Sequence, residues 1–480
     1  MRRILVLASL LAFCGAAGAD THKGYQAYQK GDFKTAVDEF RASASTDPLA
    51  MFYLGEAYFN GRGVVQDYAE AIKWYTQSAD KGQVEAQETL GGLYFFGKGV
   101  KQDHAQAARW YAPAAEKGRV FPQYLLGYMH DQGKGVAQDH AKAAAWYRKA
   151  AEQGNVDAQE GLASLLFFGR GVAQDYAEAA KWYRKPAEEG RVYPQYLMGW
   201  MLEQGRGVAA DPAEAAKWYR KAAEQNDARA QAALGFLLYS GKGVAKDEAE
   251  GVKWFQKAAA QNETSAYASL AWAYYQGKGV AADPAQAATW FRKSADNGDA
   301  QAKFMLGYLY EDGKGVAADG NEAAKWYKAA AEAGVAEAAE SLGALYFFGK
   351  GVPQDYAEAA KWYRGPAERG NTYAQYLMGY MAEEGKGVAQ DPAAAVKWYT
   401  AAAEKGDARS QSQLAWILWE GKGVPQDPVN AYMWSNLAAS QLSGEEGDRV
   451  VKVRDFIASK LPPEQLAKAQ EQSRNWQPKK

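Results

Sequence analysis

The sequence predicts an all-α solenoid of stacked helix pairs, and three observations carry that expectation. The motif Gly-[Lys/Arg]-Gly-Val-x-x-Asp begins at Gly61, Gly97, Gly133, Gly169, Gly205, Gly241, Gly277, Gly313, Gly349, Gly385 and Gly421, every interval being 36 residues. A fixed period of this length marks a protein that lays one structural unit on the next. Each motif can also close one helix and open another. Its first glycine suits the left-handed end of a helix, and Asp103 and its ten equivalents can accept backbone N–H bonds at the next N-terminus. Glu or Gln three residues on, as in Asp67/Glu70 and Asp355/Glu358, adds a capping-box variant. The third observation is helical spacing of the apolar residues between motifs.

Residues 1–19 read as a leader. Met1-Arg2-Arg3 precedes an apolar run from Ile4 to Ala12, and Ala17-Gly18-Ala19 supplies small residues for cleavage. The run is shorter than the roughly 20 residues that span a bilayer, so no integral membrane span is expected and the mature chain is expected in the periplasm or outside the cell. The single cysteine, Cys14, lies within the leader. Lipidation there is the lesser alternative, because Phe13 is large where a small residue is wanted. The mature chain then has no cysteine and no disulfide. Loss of Arg2 and Arg3 moves the net charge from −1 to −3, and a balanced charge argues against a nucleic-acid partner.

Residues 20–60 form an atypical first unit, with Ala36, Phe40 and Ala44 on one helical face and a further helix over Met51–Asn60. Residues 61–441 are the regular solenoid. One helix of each period carries a tryptophan (74, 110, 146, 182, 218, 254, 290, 326, 362, 398, 434). The other carries Leu90-Gly91 and equivalents, where small residues let helices approach and the Trp fills the gap. Residues 442–480 close the stack: Ser443–Gly447 as a loop, helices over Val450–Leu461 and from Pro463 to about Trp476, then a frayed tail.

The pattern A-x-x-x-L-G-x-x-Y-x-x-G-[KR]-G-V-x-x-D-x-x-x-A-x-x-W-Y-x-x-A-A-x-x-G resembles the Sel1-like repeat, a relative of the tetratricopeptide repeat. The resemblance implies a right-handed superhelix of helix pairs and an adaptor role, often in bacterial envelopes or host interaction. One secreted branch has been proposed to bind or hydrolyse penicillins, but its repeats are disulfide-linked and this chain lacks those cysteines.

In tetratricopeptide-like stacks the helix carrying Leu-Gly-x-x-Tyr lines the concave groove. Its positions off the packing face include Phe95 and Phe96, then Phe121, Tyr124 and Tyr128, with Asp131 beside them. Phe167 and Phe168 are followed by Tyr193, Tyr196 and Trp200, and Phe347 and Phe348 by Tyr373, Tyr376 and Tyr380. Aromatics flanked by acids are the material of interface hot spots. The expectation is a groove on a monomeric scaffold that takes a protein or peptide, with glycan or peptidoglycan recognition and a penicillin-hydrolysing enzyme as alternatives.

Other signals point elsewhere. Gly92-x4-Gly97-Lys98 imitates a phosphate loop, but Gly99 stands where Ser or Thr must hold magnesium. His104, His130 and His140 are too dispersed for a metal site. Glu383 and Glu384 diverge as helix neighbours, so no acid–base pair, catalytic residue or cofactor is expected. The loop lysines and arginines are expected as a solvated basic row.

Overall fold

The computed structural model describes residues 19–479, so the expected leader, Cys14 included, lies outside the described residues but for Ala19. Among them are twenty-six helices, from α1 (Ala19–Gln29) to α26 (Pro463–Asn475), and no strand. They fall in two compact units, Met1–Lys246 and Asp247–Lys480. The all-α architecture of repeated helix pairs is the one expected.

In the first unit, α5 (Val84–Phe96) and α6 (His104–Glu116) represent the rest. Gly97, at φ 68°, ends α5 and donates its N–H to the Leu93 carbonyl, while the Asp103 carboxylate accepts from Ala105 and Gln106 N–H. Only half of the capping box forms. The Asp103 N–H donates to the Tyr94 carbonyl at 2.9 Å, so no glutamate is needed there. The glutamate three residues on instead accepts from the indole four residues further, as Glu178 does from Trp182 at 3.3 Å.

The second glycine of the loop sets the spacing of the units. After α7 (Val120–Gln132), Gly135 has φ 70°, and a Cβ there would lie 2.2 Å from the His104 carbonyl carbon. The loop of one repeat thus rests on the first residue of the previous repeat's second helix.

The deepest aromatic is not the tryptophan. Tyr75, Tyr111, Tyr147, Tyr183 and Tyr219 are at most 3% exposed, whereas Trp74, Trp146 and Trp182 are half-buried. A Cβ on Gly91 would meet the Tyr111 ring at 2.4 Å, and one on Gly127 the Tyr147 ring at 2.5 Å. The small residue therefore receives the tyrosine after the Trp. The indole sits one step around the helix, its outer face covered by lysine, as Lys149 covers Trp146 at 4.1 Å. Buried Gln87 and Gln123 donate to the Ala79 and Ala115 carbonyls, tying each first helix to the preceding helix end.

The second unit repeats this scheme: Gly307 and Gly379 face Tyr327 and Tyr399. Its C-terminal end departs from expectation twice. The segment read as a loop is already helical, since α25 runs Gly444–Lys460. Glu445 and Glu446 favour a helix N-terminus there, and Gly447 lies inside the helix because a Cβ would come 2.6 Å from the Leu442 carbonyl. The tail is docked at Lys479, whose N–H and Nζ reach the Glu404 carbonyl and carboxylate at 2.8 and 2.7 Å.

Candidate functional site

The first helix of each repeat keeps one line of residues off the packing faces. On α5 it is Glu85, Glu88, Gly92 and Phe96, at the three- and four-residue spacing of one helix face. Among the described residues, most exposed large apolar side chains lie on such lines: Phe96 (51%), Phe168 and Phe236 in the first unit, Phe348 (59%) and Trp416 in the second.

The paired phenylalanines divide. Phe95, Phe167 and Phe347 are buried at 8–9% exposure, while their neighbours Phe96, Phe168 and Phe348 remain open. Successive helix residues point about 100° apart, so one ring of each pair turns inward. Phe167 packs on Tyr183 (6.3 Å) of its own repeat and on Trp200 (5.4 Å) of the next. Phe95 meets Tyr111 and Tyr128, and Phe347 meets Tyr363 and Tyr380, in the same way. The alternation of a Phe-Phe unit with a three-aromatic unit is therefore a contact between neighbouring repeats.

The three-aromatic units form a half-buried lip. Tyr124, Tyr196 and Tyr376 lean on the buried Tyr147, Tyr219 and Tyr399 at 5.9–6.1 Å. Phe121, Tyr128, Tyr193, Trp200, Tyr373 and Tyr380 are also half-buried. Burial pushes the Tyr124 hydroxyl up to about 12 and raises those of Tyr193 and Tyr376. Arg229 lies over Tyr193 and Tyr196 at 5.1 and 4.7 Å, and Arg409 over Tyr373 and Tyr376 at 5.0 and 5.2 Å.

The charges are mostly paired within the fold. Arg119 Nε reaches Glu88 at 2.6 Å, with Glu85 at 3.9 Å. Arg191 forks to Asp157 and Glu160, both at 2.7 Å. The loop cations are largely exposed, as expected, and several also have a partner within the fold. Lys134 donates to the Tyr128 hydroxyl at 2.6 Å, Arg170 lies over Phe168, and Lys386 bonds the Tyr380 hydroxyl. Lys242, Lys350 and Lys422 bind Glu203, Glu311 and Glu383, which also accept from the Tyr219, Tyr327 and Tyr399 hydroxyls. Where that acid is replaced by Phe95 or Phe347, the buried Tyr111 and Tyr363 hydroxyls have no partner.

Phe236, Trp416 and the arginines at 119, 191, 229 and 409 were not singled out from the sequence. Whole periods counted from Gly92 land on Phe236 and Trp416, so the repeat spacing carries the signal for both. His140 Nδ1 bonds Asp131 at 2.9 Å and His104 lies against Phe95. Among the described residues no three or more His, Cys, Asp and Glu converge to hold a metal ion. No helix there is long and apolar enough to cross a membrane.

The sequence model of the Sel1 repeat matches eleven times, at residues 48–83, 84–118, 123–155, 156–190, 195–227, 228–263, 264–299, 300–335, 336–371, 372–407 and 408–441. The solved structure of c5321, a protective antigen of uropathogenic Escherichia coli with an SLR fold, is 35% identical; the alignment covers 92% of this chain and 94% of that one, with a TM-score of 0.62. A Sel1 repeat protein from Oxalobacter formigenes is 31% identical over 71% of this chain and 97% of that one, with a TM-score of 0.44. No curated protein matches the sequence.

Proposed function

Because the chain belongs to the Sel1 repeat family, we propose that it is an exported binding scaffold whose first-helix faces hold a protein or peptide partner. Sel1 repeat solenoids are in general scaffolds for protein interaction rather than enzymes. The observation that carries the choice of face is the recurrence of exposed aromatics on the open side of the first helix, at Phe96, Phe168 and Phe236 in one unit and at Phe348 and Trp416 in the other. Exposed apolar side chains so grouped mark interaction surfaces, and the neighbouring tyrosines and arginines are the residue types that anchor them. Export rests on the leader read at residues 1–19, and the scaffold is taken to act as a monomer in the periplasm or outside the cell.

The test replaces those five side chains by alanine in the mature chain, residues 20–480. They are open, so helical circular dichroism and the melting midpoint are expected to hold while cross-linked capture of an envelope polypeptide is lost. Undiminished capture would overturn the placement. The same preparation, assayed with nitrocefin and with murein, separates the alternatives: turnover would make it an enzyme, and murein retention without a polypeptide partner a glycan binder.

A further inference from the structure

Each of ten consecutive first helices, beginning with α5, carries one aromatic residue on its open line, at one of two places a single helical turn apart and never at both. In the first unit these are Phe96, Tyr128, Phe168, Trp200 and Phe236, and in the second Trp272, Tyr308, Phe348, Tyr380 and Trp416. Where the earlier place holds a small residue, at Gly92, Ser164 and Ala344, a phenylalanine stands four residues on, at Phe96, Phe168 and Phe348. All ten rings are exposed or half-buried. Two sequence solutions thus keep one open ring per repeat, and within each unit the rings form a ladder.

The ring centres of Phe95 and Tyr128 lie 6.2 Å apart, those of Phe167 and Trp200 5.4 Å, and those of Phe347 and Tyr380 5.9 Å, so successive first helices stand side by side. Helices in direct contact are about 8–10 Å apart, which sets the distance between rungs. A polyproline II chain advances about 9.3 Å in each turn of three residues, so every third residue of such a chain meets a rung. The hydrogen-bonding groups match as well. The indole N–H groups of Trp200, Trp272 and Trp416 only donate, and they make no hydrogen bond among the described residues. The oxygens of Tyr128 and Tyr380 already accept from Lys134 and Lys386, which leaves their O–H to donate. A proline-rich chain is the complement: its prolines have no N–H, and its carbonyls have no internal partner. In the second unit Glu384 and Glu420 follow Tyr380 and Trp416 by four residues, on the same helix face. Both are exposed and neither is in an ion pair among the described residues, which favours lysine or arginine between the prolines.

We propose that this ladder binds a basic, proline-rich segment of a partner polypeptide in the polyproline II conformation, one proline ring to each rung. Five rungs take up about thirteen residues. Aromatic faces pack on pyrrolidine rings, and a chain that is already extended loses little freedom on docking. An α-helix has its carbonyls satisfied internally, and a β-strand turns alternate side chains to opposite sides. Neither offers one contact per rung together with free acceptors. The proposal rests on the binding-face reading above and gives that face a ligand class.

The experiment uses the mature chain and a fluorescein-labelled (Pro-Pro-Lys)4 peptide, with the (Gly-Gly-Lys)4 peptide as a flexible control of equal charge, followed by fluorescence anisotropy. The proline peptide is expected to bind roughly tenfold tighter than the control. Phe168→Ala combined with Phe348→Ala removes one rung from each unit and is expected to weaken binding roughly threefold to tenfold, with the helical signal intact. Adding Ser164→Tyr and Ala344→Tyr returns a ring to the other place on the same two helices and is expected to restore binding. Equal binding of the two peptides, or a loss that the moved rings do not restore, would sink the assignment. Binding of chitohexaose without binding of the proline peptide would give the ladder to a glycan instead. If the proline peptide does not bind while the five alanines still abolish capture of an envelope polypeptide, the ligand class is wrong and the face stands. If the peptide binds and follows the moved rings but the five alanines leave capture unchanged, the face reading fails and the ladder stands.

Discussion

Gly91 and Gly92 are sequence neighbours with opposite tasks. A methyl on Gly91 would run into the Tyr111 ring at 2.4 Å, whereas one on Gly92 would stop 3.6 Å from the Tyr111 hydroxyl. Gly91→Ala is therefore expected to destabilise by about 1–3 kcal/mol through overpacking. Gly92→Ser is expected to stabilise by about 0.5 kcal/mol, because a mid-helix glycine is costly and the site has room for a Cβ. Urea midpoints of the two variants check the pair; shifts of the same sign would contradict it. The helices, their caps and the 36-residue step were legible in the sequence, because cap chemistry and periodicity are local properties. Which of two adjacent aromatics meets Gly91 was not. Trp110 and Tyr111 differ by one step around a helix, and only the partner helix decides which faces inward.

At the scale of elements, six of the joints between adjoining repeats are of two kinds. Where the first helix carries Glu203, Glu311 or Glu383, the joint is polar: a tyrosine of the same repeat and a lysine of the next loop share one carboxylate. Where it carries Phe95, Phe167 or Phe347, the joint is aromatic. Glu203→Ala is expected to cost about 1–3 kcal/mol by stranding the Tyr219 hydroxyl. Tyr219→Phe in that background should then recover part of the loss, which a double-mutant cycle reads directly. Acid acts on the helix starts. Hydrogen bonds from Thr35 to Asp32 and from the Lys142 N–H to Asp139 hold both carboxyls below the ordinary aspartate value. The unfolded chain therefore takes up protons first, and stability falls as the pH drops from that value through the folded ones. Glu340 is shifted the opposite way, so its ionisation opposes folding as the pH rises through and above the usual glutamate range. Melting midpoints between pH 3 and 6 in wild type and in Glu340→Gln isolate that contribution as a smaller loss on the alkaline side. The open face was legible as a set of helix positions, but its charge pairing was not, because Arg119 and Glu88 lie 31 residues apart and meet only through the stacking.

At the scale of the molecule, stability in a repeat chain is a sum over units and their joints, so the ends need covers. The last regular second helix, α24 (Pro428–Ala439), is covered by α25 and α26, whose Ile457 and Ala469, with Leu461 between the two helices, pack on Ala431 and Tyr432. A chain stopped at residue 441 uncovers that surface. It is expected to self-associate, seen as early elution in size-exclusion chromatography, while Trp476→Ala alone, losing one ring contact with Trp434, is expected to lower the melting midpoint without association.

The glycine that rests on its neighbour's backbone has a consequence for how this gene can change. Since Gly135 and Gly171 each touch the helix opening of the preceding repeat, a codon gained or lost within a period would throw the following segments out of step. Copying or deleting a complete period leaves every such touch with an equivalent partner. Growth and shortening by whole multiples of the period are thus the length edits this fabric accepts most readily, and recombination between near-identical tandem segments produces edits of that kind.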